Sequence, residues 1–179
     1  MSKILIISTS LRENSNSEYL ARECEKGAKS AGNEVEFVTL KGKKISFCIG
    51  CLACQKSGIC VIIDDVCEIL EKVKNADVLI FATPVYYYEM SGQMKTLIDR
   101  LNPLYSRDYK FRKVYMIATA ADEGAYVFDK AYNGLRGFVD CFEKSTLYGI
   151  ATGGDMNGGG VAKTHTDAVR LAYELGESL

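Results

Sequence analysis

A segment rich in hydroxyl and amide side chains follows the first apolar run of the chain. Residues 3–8 are almost continuously aliphatic, a pattern typical of a strand buried on both faces of a parallel sheet. Apolar residues at helical spacing begin at Tyr19. The segment 9–17 therefore lies at the start of a helix, where unpaired backbone N–H groups and the positive end of the helix dipole favour an anion. We predict a phosphate site here, although such segments also serve only to cap helices.

Four of the seven cysteines lie between residues 48 and 60, with the spacing Cys-x₂-Cys-x₂-Cys-x₅-Cys. Four thiolates this close can surround one iron–sulfur cubane. Tetrahedral zinc is a second interpretation, although zinc more often joins two separated Cys-x₂-Cys units. Free thiols or a redox disulfide are a third, and the residues alone leave all three open for Cys48, Cys51, Cys54 and Cys60. The other cysteines lie in helical patterns, and we expect small buried apolar residues at Cys24, Cys67 and Cys141.

A proline and three consecutive tyrosines follow the third apolar run. The run covers residues 77–82, and Pro84 precedes Tyr86, Tyr87 and Tyr88. At the end of a strand, such tyrosines can offer a flat, amphipathic surface to a planar ring. Packing beneath the loop or at a subunit contact is the alternative interpretation.

Strand and helix patterns alternate along the chain. We predict strands at 3–8, 34–39, 77–82, 113–119 and 145–151, and helices at 16–31, 64–74, 91–101, 125–143 and 161–177. This alternation indicates an open, doubly wound α/β parallel sheet with helices on both faces. The five-stranded order 2-1-3-4-5 suits this length better than the six-stranded dinucleotide fold, whose Gly-x-Gly-x-x-Gly does not follow the first strand. We expect one domain over residues 1–179, with a cysteine-rich insertion at about 44–63.

In a sheet of this kind, ligands bind outside the carboxyl ends of the strands, beside the reversal in strand order. The loops after the first and third strands should meet there. A glycine-rich segment, 153–160, follows the fifth strand, and we expect it to be a rim loop near the same place. Lys95 and Asp99 are spaced for a helix-surface ion pair, and we interpret them, like Arg100, as structural or interface residues.

Composition excludes several classes of protein. A net charge of −1 and a pI near 5.9 give no electrostatic reason to expect nucleic-acid binding. No apolar run is long enough to span a bilayer, and Met1 leads directly into a strand, so we expect neither a membrane span nor a signal peptide. Seven clustered cysteines argue against a secreted disulfide scaffold, so a reducing cytoplasm fits best.

Two motifs together resemble the NADPH-dependent FMN reductase family of flavodoxin-like proteins. Segment 9–17 is similar to the family's Gly-Ser-Pro-Arg-x-x-Gly/Ser-Asn-Thr/Ser loop. Segment 83–100 is similar to its second signature, Ser-Pro-Val-Tyr followed by Ser-Gly-x-x-Lys and Asp-Arg. Thr9 stands where the family has glycine and Leu11 where it has proline, which allows a differently shaped phosphate turn.

The resemblance implies a flavodoxin-like fold that binds FMN through three loops. The phosphate would be held by Ser10, Arg12, Asn14, Ser15, Asn16 and Ser17. The ring and ribityl chain would be lined by Pro84, Val85, Tyr86, Tyr87 and Tyr88. The third loop would be Thr119, Ala120 and Ala121, where the family usually has more glycine. In the family the helix after the tyrosines packs across a dimer interface, so we expect a homodimer or a dimer of dimers.

The cysteine spacing also resembles the iron–sulfur flavoproteins, a branch of the same family. There, the residues corresponding to Cys48, Cys51, Cys54 and Cys60 would bind a [4Fe–4S] cluster that exchanges electrons with FMN across a dimer. Cysteine-bearing versions of this loop also occur in flavodoxin-like oxidoreductases without iron. The resemblance therefore does not decide between cluster, thiols and zinc.

Together these features predict a cytoplasmic FMN-dependent oxidoreductase. NADH or NADPH would reduce the flavin, which would pass electrons to a small acceptor such as a quinone, free flavin or nitro compound. No side-chain nucleophile is required, because the flavin carries the chemistry. The alternatives are an electron relay between FMN, a [4Fe–4S] cluster and ferredoxin, and a non-enzymatic thiol redox sensor.

Overall fold

The apolar runs predicted as strands form one sheet. A computed structural model describes the backbone of residues 1–179 and every side chain except that of Ser106. The strands are β1 (Lys3–Ser8), β2 (Glu34–Thr39), β3 (Val78–Tyr86), β4 (Glu89–Met90), β5 (Lys113–Thr119) and β6 (Thr146–Gly153). Five strands pair in parallel in the order β2-β1-β3-β5-β6, and the short β4 pairs antiparallel with the end of β3. The predicted order 2-1-3-4-5 is confirmed for the five parallel strands.

Helices cover both faces of the sheet, as predicted. They are α1 (Asn16–Ser30), α2 (Ala53–Ser57), α3 (Val66–Asn75), α4 (Gly92–Arg100), α5 (Asp129–Val139) and α6 (Thr166–Glu177), with 3₁₀ helices at Asn102–Ser106, Ala125–Phe128 and Val161–Thr164. Alternate residues of β1 point to opposite faces. Ile4 and Ile6 pack in the core beneath α1 and α6, while Leu5 and Ile7 pack beneath α3, α4 and α5. None of the helices in the described chain has the length and apolar character needed to cross a bilayer.

The main departure from the predicted elements is at the tyrosine run. β3 continues beyond residue 82 to Tyr86, and Pro84 takes its place in register opposite Thr119 of β5. Tyr87 and Tyr88 then form a tight hairpin with positive φ angles of 52° and 66°. Hairpins of this kind favour Asn-Gly, so the sequence carries no signal for this turn.

Two further predictions, a helix boundary and the burial of the cysteines outside the cluster, are only partly confirmed. The predicted helix 125–143 begins as a 3₁₀ helix and its α-helical part ends at Val139. Cys24 is buried as expected, and burial raises the pKa of its thiol to about 12. The prediction was wrong for Cys67 and Cys141, which are both exposed. Cys67 lies on the solvent face of α3, and Cys141 lies in the turn after α5, beyond the end of the helix. A cysteine in a helical pattern carries no sequence signal for which face it occupies.

A buried ion pair anchors the long segment between β2 and α3. The side chain of Arg100 is fully buried, and its Nη1 and Nη2 donate to Asp64 Oδ2 and Oδ1 at 2.7 and 3.0 Å. The same guanidinium donates to the carbonyls of Ser46 (2.8 Å) and Ile62 (3.1 Å). Both ends of the cysteine segment are thereby attached to α4. The expected structural role of Arg100 is confirmed, as is the exposed Lys95–Asp99 pair at 2.6 Å.

The ionised form of Asp64 is favoured by its surroundings. Burial raises the pKa of this carboxyl, but hydrogen bonds from Arg100 and from the amides of Ser46 and Val66 outweigh burial and hold the pKa below its ordinary value near 3.8. A lowered folded-state pKa contributes stability at neutral pH that is lost as the pH falls through that pKa.

Asp64→Asn should lower the free energy of unfolding by about 3–5 kcal/mol, because it leaves the Arg100 charge buried and uncompensated. Asp99→Asn, one helical position from Arg100 and in an exposed pair with Lys95, is the matched control and should cost about 0.3–0.5 kcal/mol. Urea unfolding at pH 7 measures both values. Equal losses of unfolding free energy in the two variants would contradict the anchoring role. The same conclusion would follow if the stability of Asp64→Asn fell in acid as steeply as that of the unmodified protein.

Candidate functional site

Loops from four strands surround one cavity at the carboxyl edge of the sheet. β1 lies at the reversal in strand order, between β2 and β3, so the loops after β1 and β3 flank the switch point. The cavity has a volume of about 230 Å³. The carboxyl ends of β3 and β5 and the loops after β1, β5 and β6 line it, with the residues Ser10, Arg12, Ser15, Asn16, Pro84, Val85, Tyr86, Thr119, Ala120, Ala121, Met156 and Asn157.

The loop after β1 presents hydroxyl groups and free helix amides to the cavity. Ser15 is the N-cap of α1, and its Oγ accepts from the Glu18 amide at 3.3 Å and lies 3.1 Å from Ser17 Oγ. The other amides of a first helical turn have no partner within the helix. Ser10 Oγ accepts from the Arg12 amide at 3.3 Å. The loop thus collects donors at one point beside a guanidinium.

Two of the predicted phosphate residues lie away from the cavity. Asn14, with a left-handed φ of 51°, lines a separate depression with Arg22 and Lys163. Ser17 is fully buried and contacts Ser15 rather than the open space. The structure therefore brings together four of the six predicted residues of this loop.

The tyrosine run is divided in the same way. Tyr86 lines the cavity, whereas Tyr87 is 98% exposed and points into solvent. Tyr88 stacks on Tyr126 with ring centroids 6.1 Å apart and an interplanar angle of 29°. The hairpin separates the three rings, so only the first is placed to contact a molecule in the cavity.

Asn16 ties the first loop to the glycine-rich segment. Its Nδ2 donates to the carbonyls of Met156 (3.1 Å) and Gly158 (2.7 Å), and its Oδ1 accepts from the Ala162 amide at 3.1 Å. The segment 153–160 therefore lies beside the cavity, as expected. Met156 and Asn157 were not singled out from the sequence, since only the glycine content around them marked this segment.

The cysteine loop lies apart from the cavity and does not gather its thiols. Cys48 and Cys51 are exposed and Cys60 is half-buried, while Cys54 is the buried residue of α2 and its Sγ accepts from Asn102 Nδ2 at 3.2 Å. Among the described residues, no group of three or more histidine, cysteine or acidic side chains is arranged to hold a metal. The loop conformation seen here therefore does not fit a cluster or a zinc ion, and the metal site at these cysteines stays a prediction.

An open groove of about 600 Å³ lies between the cysteine loop, α4 and α5. Cys48 lines one wall and Cys141 the other, which gives the unexpected exposure of Cys141 a definite place in the fold.

Comparison with known proteins identifies the family. The model of the NADPH-dependent FMN reductases matches residues 2–172. The chain belongs to this family. An iron–sulfur flavoprotein of Methanocaldococcus jannaschii is 45% identical over 102 residues, covering 57% of this chain and 53% of that protein. An iron–sulfur flavoprotein of Archaeoglobus fulgidus is 40% identical over 92 residues, covering 51% of this chain and 42% of that protein. The matches thus span about half the length of these curated relatives.

Solved structures agree on the fold. The NAD(P)H:quinone oxidoreductase from Methanothermobacter marburgensis superimposes with a TM-score of 0.79 at 17% identity, covering 99% of this chain and 95% of that chain. An azoreductase from Bacillus anthracis gives a TM-score of 0.74 at 15% identity, with full coverage of both chains. At such identities the likeness concerns the flavodoxin-like fold alone.

The departure from the family loop at Thr9 has a structural explanation. Its Oγ1 donates to Ala82 O at 2.9 Å and lies 3.0 Å from the Oγ of Ser91, the N-cap of α4. The Ser91 amide donates to Thr83 Oγ1 at 3.0 Å. A glycine at position 9 could not make these contacts. The hydroxyl groups of Thr9, Ser91 and Thr83 join the loops after β1 and β3 in a buried network.

Asn16→Ala should loosen the glycine-rich loop, because it removes three hydrogen bonds and leaves the Ala162 amide without its acceptor. The expected cost is about 1–3 kcal/mol of stability, with faster hydrogen exchange at Ala162 measured by NMR. Asn75→Ala, which removes one exposed bond to Glu71, is the control and should leave that exchange rate unchanged. Unaltered exchange at Ala162 in Asn16→Ala would refute the linking role.

Proposed function

We propose that the chain is a flavin oxidoreductase that binds FMN in the cavity at the carboxyl edge of the sheet. NADH or NADPH would reduce the bound flavin, and a small acceptor would reoxidise it. The observation that carries the proposal is the convergence of the loops after β1, β3 and β5 on one cavity, at the switch point of a chain that belongs to the FMN reductase family. The proposed partners are a second copy of the chain and a small acceptor in the cytoplasm.

The phosphate end of the cavity would lie at the start of α1. Ser10 and Ser15 would supply hydroxyl donors, and the first amides of α1, with the helix dipole behind them, would favour an anion at this end. Arg12 lies at the mouth, where its Nη1 donates to Asn157 O at 3.3 Å. That single long bond leaves the other guanidinium donors available for phosphate oxygens.

The ring end of the cavity would lie between the loops after β3 and β5. Pro84, Val85 and Tyr86 form one wall and Thr119–Ala121 the other. The small side chains at Ala120 and Ala121 leave room for a flat ring, and Tyr86 offers an aromatic edge. Bound FMN would supply the two-electron chemistry, while these residues hold it and exclude water.

An electron relay between FMN, a [4Fe–4S] cluster and ferredoxin is the second candidate function, since the curated relatives described above are iron–sulfur flavoproteins by name. It requires a cluster at Cys48, Cys51, Cys54 and Cys60, and ferredoxin as an electron partner. The loop would have to rearrange to bring these four thiols together, because Cys54 is buried while Cys48 and Cys51 face solvent. No step is therefore assigned to a cluster.

Arg12→Gln should weaken FMN binding about 10- to 100-fold, because a charge-assisted phosphate contact contributes about 1.5–3 kcal/mol. Its affinity for riboflavin, which has no phosphate, should not change. Arg170→Gln on α6 is the control, since Arg170 pairs only with acidic residues of its own helix. Fluorescence titration measures the FMN and riboflavin dissociation constants of the unmodified protein and of both variants. An equal loss of FMN and riboflavin affinity would place the phosphate elsewhere.

Anaerobic reduction separates the reductase from its rivals. Protein purified without oxygen and loaded with FMN should lose its yellow absorbance rapidly with NADH or NADPH and regain it with a small acceptor. Bleaching by reduced ferredoxin alone, with stoichiometric iron and acid-labile sulfide, would support the relay and contradict the reductase. Reversible cysteine oxidation that changes partner binding, without turnover, would support the redox sensor.

A further inference from the structure

The cysteine loop, residues 48–60, adopts a conformation that its own sequence does not favour. Its one helix, α2, has five residues, too few to be stable in isolation. Leu52, which precedes α2, has a left-handed φ of 56°, and its side chain caps no amide. A left-handed leucine is unfavourable and persists only where surrounding contacts impose it. Contacts from outside the loop must therefore stabilise this conformation.

Two side chains that follow α4 supply such contacts. Asn102 begins the 3₁₀ helix after α4, and Arg107 comes directly after that helix. Asn102 Nδ2 donates to Cys54 Sγ at 3.2 Å, and Arg107 Nη2 donates to the carbonyl of Ser57 at 2.5 Å. The two bonds hold α2 near its first and its last residue. We call these two side chains the Asn102–Arg107 clamp.

The Arg107 guanidinium also lies against Gly58. A Cβ at position 58 would lie 1.5 Å from Arg107 Nε and 2.0 Å from Arg107 Cζ, so only glycine leaves room for the guanidinium. Among the described residues, the bond to Ser57 is the only side-chain hydrogen bond that Arg107 makes. The position of the guanidinium is therefore set by the loop rather than by an acidic neighbour.

The clamp stands on a rigid base, whereas the loop has room to move. Leu101 and Leu104 are fully buried in the core, and Pro103 between them restricts the backbone at the start of the 3₁₀ helix. Leu52, in contrast, borders the open groove of about 600 Å³ between the cysteine loop, α4 and α5. Release of the clamp would therefore free the loop and not the 3₁₀ helix.

The clamp explains why the loop does not gather its thiols. Cys54 is only 7% exposed and its sulfur accepts from Asn102, whereas Cys51, three residues earlier, faces solvent. The Cys60 thiol lies against the guanidinium of Arg100, which is itself fixed in the core. Cys60 is thus held in place, and Cys54 is the thiol that must leave its position before all four can meet.

We propose that the Asn102–Arg107 clamp keeps Cys54 buried, and that its release controls whether the cysteine loop can bind a metal. The proposal does not depend on FMN binding. When only a small fraction of molecules has the binding-competent conformation, the apparent affinity for a ligand falls in proportion to that fraction. The cysteine spacing and the thiol positions disagree because the clamp, and not the spacing, decides which conformation of the loop is populated.

Alkylation of the thiols tests the clamp directly. The full-length chain, treated with a chelator and with its thiols reduced, is exposed to iodoacetamide, and mass spectrometry follows each cysteine. In the unmodified protein Cys54 should react about tenfold or more slowly than Cys48. In the double variant Asn102→Ala/Arg107→Ala the rate at Cys54 should rise about tenfold, because the loss of two hydrogen bonds increases the open fraction.

Two controls separate a local release from general unfolding. The double variant Asn75→Ala/Arg170→Ala removes only contacts within α3 and α6, and should leave the rate at Cys54 unchanged. Cys24, fully buried in the core, should keep its rate in both double variants. The proposal is overturned if Cys54 reacts as fast as Cys48 in the unmodified protein. An equal rise at Cys24 and Cys54 would also overturn it.

A cobalt titration tests the consequence for metal binding. Co²⁺ is the probe, because its coordination by thiolates produces visible absorbance. The apparent affinity for Co²⁺ should be about tenfold higher in Asn102→Ala/Arg107→Ala than in the unmodified protein, and unchanged in the control variant. Equal or weaker binding in Asn102→Ala/Arg107→Ala would show that the clamp does not oppose metal binding. Neither experiment uses flavin or nicotinamide, so a failed reductase assay leaves their outcome intact.

Discussion

The parallel pairing of β1 with β3 is the constraint on which the site depends. In register, Ser8 lies opposite Ala82, and the Thr9 amide continues the ladder by donating to Ala82 O at 2.9 Å. The two strands therefore end side by side, and the loops that leave them emerge at the same edge. Because the chain reverses its direction of winding here, those loops separate and leave a hollow between them. The position of the cavity follows from this pairing before any ligand is considered.

Hydrogen bonds between loops then convert that hollow into an ordered site. Asn16 connects the loop after β1 to the segment after β6, and the Ala120 and Met156 amides connect the loops after β5 and β6. Most of these bonds use backbone groups that a loop would otherwise leave to water. A site built in this way is preorganised, so a ligand does not have to supply the free energy of ordering the loops.

The sequence predicted the parts of the molecule that periodicity controls. Continuous aliphatic runs marked β1 and β3, and the resemblance indicated which loops follow them. The sequence could not predict contacts that depend on the three-dimensional path of the chain. The Tyr87–Tyr88 turn carries residues that hairpins disfavour, so its conformation is set by the β3–β4 pairing rather than by local preference. Asp64 was predicted only as the first residue of helix 64–74, because nothing local indicates that Arg100, 36 residues later, lies against it.

The Arg100–Asp64 pair also bears on the chemistry of the cysteine loop. A segment of this length without long secondary structure needs attachment, and metal ligation is a common means. Here the ends are attached by a buried guanidinium to Ser46, Ile62 and Asp64, and the Cys60 thiol lies against the same guanidinium. Only the middle of the loop, including the left-handed Leu52 and Gly58 that bound α2, is left for a metal or an oxidant to reorganise. The hydrogen bonds at the two ends of the segment involve no cysteine atom, so the sheet and the cavity at its carboxyl edge do not depend on whether the thiols in the middle of the loop are free, oxidised or bound to a metal.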